Sequence, residues 1–90
     1  MKVFNMESER SGRAVANQFI IYDDEGNRFF QFYNSIIVKV DKKGNVFLDE
    51  YYWDYSKTTG KYRNRFLGEG VEETRRKIKE GKYTLTKLNR

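Results

Sequence analysis

The chain has 90 residues, with 18 Lys and Arg against 13 Asp and Glu, a formal net charge of +5, and neither cysteine nor histidine. One small domain with one hydrophobic core is all that this length supports, and without cysteine there are no disulfides or thiolate metal sites to staple it. Lacking the commonest general base, the best thiol nucleophile and the usual transition-metal ligands, the chain is not expected to be an enzyme, and no cofactor is implied.

Apolar runs such as Ile36 to Val38 are far below the roughly 20 residues of a spanning helix, and no signal-peptide pattern opens the chain, which reads as cytoplasmic with no membrane role. Packing must come from aromatic side chains: seven Phe, seven Tyr and one Trp, each able to bury a large area.

Residues 1–15 mix Glu7, Ser8, Glu9, Arg10, Ser11, Gly12 and Arg13 with little apolar period. They read as a loosely ordered N-terminal arm, in which Val3 and Phe4 offer an edge pairing. A single α+β domain is expected over 16–90. Phe19–Tyr22 and Arg28–Tyr33 flank the turn residues Asp23, Asp24, Glu25, Gly26 and Asn27, which is a hairpin signal. Ile36–Val40 alternates, with Ile36, Val38 and Val40 on one face and Ile37 and Lys39 on the other. Lys42, Lys43, Gly44 and Asn45 then turn the chain into a strand over Val46–Tyr52.

After Ser56 the period moves toward 3.6, with Tyr62 and Phe66 inward, Asp54 or Ser56 as N-cap and Gly68 as a left-handed C-cap. Gly60 inside this helix costs about 1 kcal/mol relative to Ala. A second helix is expected over Val71–Glu80 with Val71, Thr74 and Ile78 inward, then a short strand through Tyr83 and Leu85. The expected order is ββββααβ, a four-stranded antiparallel meander followed by two short helices and a final strand.

Charge is distributed unevenly: residues 1–56 carry a net −2 and residues 57–90 a net +7. Such asymmetry points to a phosphate-rich or acidic partner. Lys57, Lys61 and Arg65 are spaced by four on one side of the first helix, with Arg63 flanking them, and no acid stands in helical register with them. In the second helix Glu72 and Glu73 are in register with Arg76 and Lys77, so part of that charge has internal use. A second cationic set, Arg75, Arg76, Lys77, Lys79 and Lys82, extends the basic face if the helices lie side by side. The competing reading of both sets is a solvated helix surface.

Alternation places Tyr51, Trp53 and Tyr55 on one strand face and Tyr52 on the other. Trp53 reads as a core anchor and Tyr52 as the exposed ring available for stacking on bases. Lys43-Gly44 matches the start of an RNA-binding sheet signature but fails at the next two positions. Asp23-Asp24-Glu25 lacks the alternate spacing that converges oxygens on calcium.

Three segments carry a resemblance: Arg10–Ile21, Phe30–Ile37 and, most specifically, Val46–Gly68 with its Trp53-Asp54-Tyr55-Ser56-Lys57-Thr58-Thr59 run. They resemble a family of small uncharacterised proteins from phages and mobile elements of Gram-positive bacteria. The resemblance implies a setting rather than site residues. Accessory proteins of such elements include inhibitors of host defence nucleases, anti-CRISPR proteins among them, and DNA-handling proteins.

Three functions therefore stand as expectations. The first is a non-enzymatic inhibitor that binds a host defence nucleoprotein or its guide or target nucleic acid. The second is a direct nucleic-acid-binding protein using the basic helix, and the third a magnesium-dependent nuclease built on Asp49, Glu50 and Asp54. An exposed sheet edge would also allow a homodimer.

Overall fold

The computed structural model describes residues 1–8 and 10–89. Six strands lie side by side in chain order: β1 (Lys2–Glu7), β2 (Ala14–Tyr22), β3 (Arg28–Phe32), β4 (Ser35–Val40), β5 (Val46–Asp49) and β6 (Tyr83–Thr86). Two helices, α1 (Lys57–Leu67) and α2 (Val71–Lys79), connect β5 to β6. The strands β1 to β5 are antiparallel neighbours, whereas β6 pairs with β5 in parallel. No described helix is long and apolar enough to cross a membrane.

This architecture corrects the expected ββββααβ order. The meander has five strands, because residues 2–7 pair with β2 from Lys2↔Tyr22 to Asn5↔Phe19 before the register shifts. Of these six residues only Met6 is buried. A strand so little covered writes no apolar alternation into its sequence, which is why the arm concealed it. The parallel β5–β6 pair makes the sheet mixed, with the two helices supplying the crossover that parallel strands require.

The β2–β3 and β4–β5 turns use one chemical device, Asp-x-x-Gly-Asn. Asp23 Oδ1 accepts from the N–H groups of Glu25 and Asn27, both at 2.9 Å, and its Oδ2 accepts from Asn27 Nδ2 at 2.9 Å. Asp41 repeats this with Lys43 and Asn45 at 2.9, 2.9 and 3.0 Å. The glycines sit at φ +87° and +88°, a region costly for any residue with a Cβ.

Elsewhere the alternation breaks. A register shift between Phe30 and Gln31 interrupts the β3–β4 pairing, and the consecutive residues Ile37 and Val38 are both fully buried. The bulge turns both toward the core, so Ile37 does not share an outer face with Lys39 as expected.

Strand β5 ends at Asp49 rather than Tyr52. Asp49 Oδ2 accepts from the N–H groups of Tyr51 (3.1 Å) and Tyr52 (2.8 Å), folding the chain out of the sheet, while Oδ1 accepts from Leu88 N–H (2.9 Å). Asn89 then takes the place β5 has left, donating to Ile36 O (2.8 Å) and accepting from Ile36 N–H (2.7 Å).

Both helices lie on the sheet face carrying Phe30, Val38 and Leu48. Tyr62 and Phe66 from α1 join the buried cluster, and Phe66 stacks on Phe30 with ring centroids 6.0 Å apart. Cross-strand register places Val3, Phe19, Ile21, Phe29 and Phe47 on the other face, outside that cluster. The first helix starts and stops where its sequence says. Ser56 Oγ accepts from Thr59 N–H (3.1 Å), and Gly68 at φ +72° donates its N–H to Asn64 O (2.8 Å).

Candidate functional site

The buried stripe of α1 reads Thr59, Tyr62, Arg63, Phe66, an i, i+3, i+4, i+7 pattern in which Arg63 holds a core position. Its side chain is 1% exposed. Burying a guanidinium demands partners, and three are present. Nη1 donates to Trp53 O (2.6 Å) and Asp54 Oδ1 (3.2 Å), Nη2 donates to Asn64 Oδ1 (2.9 Å), and Cζ lies 5.2 Å from the centroid of the Trp53 ring.

Arg63 is therefore corrected from surface binding residue to structural residue. The acid that pairs with Arg63 stands nine positions upstream, outside the helical register in which α1 offers none.

Asp54 Oδ2 takes the second arginine, Arg75 Nη2 from α2, at 2.8 Å. One carboxylate thus ties the turn after β5 to both helices. Burial raises the pKa of Asp54, but the hydrogen bonds and charges of Arg75 and Arg63 outweigh it and hold the carboxyl below its ordinary range.

Between the helices the Asp54 pairs floor an open cleft of about 620 Å³, lined by Ser56, Lys57, Gly60, Lys61, Asn64, Val71 and Arg75 among others. Lys57 and Lys61 are exposed on its α1 wall. The first turn of α1 contains no acid, so the positive end of its dipole is left uncompensated, and Lys57 adds to it at a cost of about 0.3–1 kcal/mol. Gly60, itself buried, brings the α1 backbone to the cleft wall without a side chain. A Cβ there would sit 3.5 Å from Arg63 Nη2, an ordinary contact, so the fold itself does not require glycine. The cleft thus sets two exposed lysines beside the N-terminal end of a helix whose first turn carries no acid.

The other expected residues disperse. Arg65 is half-buried, donates to Glu7 O at 2.6 Å and lies 5.5 Å from the Tyr62 ring, tying α1 to β1. Lys79 is exposed on α2 and outside the cleft. Tyr52 is half-buried against the core, whereas Tyr51 and Tyr55 are 69% and 57% exposed. That reversal follows from the end of β5 at Asp49. Tyr52 and Tyr55 line a separate cavity of about 190 Å³ with Phe32, Tyr33 and Thr59, too small for more than a single side chain or base edge.

Of the acids proposed for magnesium, Asp49 is spent on backbone N–H groups and Asp54 on two arginines. Among the described residues no group of three or more His, Cys, Asp or Glu is placed to hold a metal ion.

The sequence reading missed Asp54 as an organiser of the cleft and Glu69 as a second interior carboxylate. Glu69 accepts from Thr74 Oγ1 (2.6 Å), Lys77 Nζ (2.8 Å) and Tyr83 Oη (2.7 Å), joining the interhelical turn, α2 and β6. Burial raises its pKa, but these bonds outweigh that and hold it down. Burial, followed by the bond to Glu69, pushes the Tyr83 hydroxyl up. With every oxygen engaged by the fold, the cluster reads as a fastening rather than a reactive site.

A protein-family model described as a family of unknown function (DUF8033) matches residues 1–82. No curated protein and no solved structure matches the chain.

Proposed function

The chain belongs to DUF8033, a family that brings no assigned activity with it, and we propose that it acts by binding, as a phage or mobile-element accessory protein that inhibits a host defence nucleoprotein. In this reading the interhelical cleft holds the phosphate backbone of the partner's guide or target nucleic acid. The observation that carries it is the surplus charge of the cleft, where Lys57, Lys61, Arg63 and Arg75 face the single carboxylate of Asp54. Arg63 and Arg75 share that carboxylate, so Lys57 and Lys61, the latter with Nζ 5.5 Å from the Tyr62 ring, are the cations without an acid in the cleft. The Trp53–Thr59 resemblance supplies the setting, and a second reading, direct binding of free nucleic acid, uses the same cleft.

Pull-down from host lysate with and without nuclease treatment separates the two. A protein partner retained after treatment supports the inhibitor, and recovery of nucleic acid alone supports direct binding. Anisotropy with labelled single-stranded RNA and duplex DNA across a salt series tests the cleft. Lys57→Glu with Lys61→Glu should weaken binding and flatten the log–log salt slope by about 1.5, the release expected from two lost phosphate contacts. Unchanged affinity in a folded double variant refutes the site.

A further inference from the structure

The two edges of the sheet are built differently. At one edge β6 is four residues long and stands between Lys82 and Lys87, the short, lysine-guarded form that keeps an edge from pairing. At the other, β1 is six residues long, and between Lys2 and Glu7 it runs Val3-Phe4-Asn5-Met6 without charge or proline. Val3 is 56% and Phe4 52% exposed, and they lie on opposite faces of the strand. Helix α1 meets β1 at its far end, where Arg65 donates to Glu7 O, and leaves Val3 and Phe4 uncovered. On the helix side Phe4, Ile20 and Tyr22, with Lys2, Asp23 and Asp24 at the rim, line an open groove of about 680 Å³, with Phe4 edge-on to Tyr22 at 5.9 Å.

We infer that β1 is a docking edge for a second copy of this chain, pairing antiparallel with the second copy's β1 to make a continuous twelve-stranded sheet. The charge pattern of the strand selects this occupant. With a cation at one end and an anion at the other, antiparallel self-pairing brings Lys2 of each copy to the Glu7 end of its neighbour, while a parallel arrangement would set like against like. A two-fold axis normal to the sheet requires facing residues to point to the same side, so the pairing centres on one residue. Centred on Phe4, it sets the two Phe4 rings together at the mouths of their grooves, and Val3 against Asn5. The ladder satisfies the free N–H and C=O groups of β1, and the rings cover the apolar surface that the helices leave open. Lys57 and Lys61 stand on α1 away from this edge, so the inference is independent of the cleft.

The test uses the full chain. Sedimentation velocity from about 1 µM to about 1 mM should show reversible monomer–dimer exchange with a Kd in the micromolar to millimolar range, as suits an interface this small. Phe4→Lys should weaken it at least tenfold. If that variant loses native circular dichroism, Val3→Lys provides the same reading from the other face. The chain has no cysteine, so Phe4→Cys is the sole thiol. Its Cα would lie about 4.5–5.5 Å from its counterpart, within disulfide reach, and mild oxidation should yield a covalent dimer that Thr84→Cys on β6 does not. A monomer throughout the range, equal cross-linking at both edges, or association lost with Phe29→Glu on the open face and kept with Phe4→Lys, would each overturn the inference.

Discussion

Replacing Arg63 with Met tests whether the guanidinium belongs to the fold or to a ligand. The change keeps an unbranched stem in the core but removes three hydrogen bonds, to Trp53 O, Asp54 and Asn64, and the stack on Trp53. Hydrogen bonds to a charged group contribute roughly 1.5–3 kcal/mol each, offset by the relief of burying that charge, so a net loss of about 2–4 kcal/mol is expected. That is a large fraction of the roughly 5–13 kcal/mol a 90-residue domain commands.

Asp54→Asn strands the buried cation instead. Because the Asp54 side chain is 36% exposed, solvent screening reduces the cost to about 1–3 kcal/mol. The double variant should be less destabilised than the two singles combined, with a coupling of about 1–2 kcal/mol. Urea unfolding followed by the fluorescence of Trp53, the only tryptophan, reads all four proteins. Stability of Arg63→Met within about 0.5 kcal/mol of the parent would refute the structural role, and so would coupling near zero.

Other perturbations separate local from long-range demands. Gly26→Ala should destabilise more than Gly44→Ala in thermal unfolding: both glycines have positive φ, but a Cβ at 26 would also meet Lys42 Cβ at 3.0 Å, while nothing lies within 4 Å at 44. Gly60→Ala should raise stability by up to about 1 kcal/mol, since helix propensity improves and no clash arises. If polyanion affinity falls in the same variant, the bare backbone serves the cleft. The carboxyls of Asp49, Asp54 and Glu69 are all held below their ordinary values, burial opposing and hydrogen bonds prevailing. A depressed folded pKa contributes stability that is complete above the unfolded value and lost as pH falls through the folded one, so denaturant midpoints should be flat near neutrality and drop from about pH 4 downward. Glu69→Gln should make that decline shallower.

What the sequence disclosed was local. The turns at Gly26-Asn27 and Gly44-Asn45, the Ser56 and Gly68 caps and the Tyr62–Phe66 stripe each depend on residues within about five positions of one another. What it concealed depends on partners far along the chain. β1 answers to β2 across a polar loop, and the bulge at Ile37 answers to Phe30 and Gln31. The strand after Val46 ends early because Asp49 has Leu88 to cap as well as its own turn. In α1, the spacing that put Tyr62 and Phe66 inward also put Arg63 inward, and reading it as outward gave its charge precedence over its position. Of the basic set, Lys57, Lys61 and Arg75 do converge on one cleft; Arg65 is drawn away to Glu7 O on β1, Lys79 lies outside the cleft on α2, and Tyr52 is turned to the core by the end of β5.

The parallel pairing of β6 also dictates an order of assembly. Strands β2 to β5 close by short turns and can form as the chain leaves the ribosome, but Val46 must wait for Tyr83, across both helices. Closing so long a loop costs entropy with no return until the helices dock. During synthesis the β5 edge, Leu48 included, therefore stands open until Tyr83–Thr86 have emerged. Variants that slow helix docking should accordingly show their defect first as aggregation of nascent protein, before any loss of stability in the finished fold.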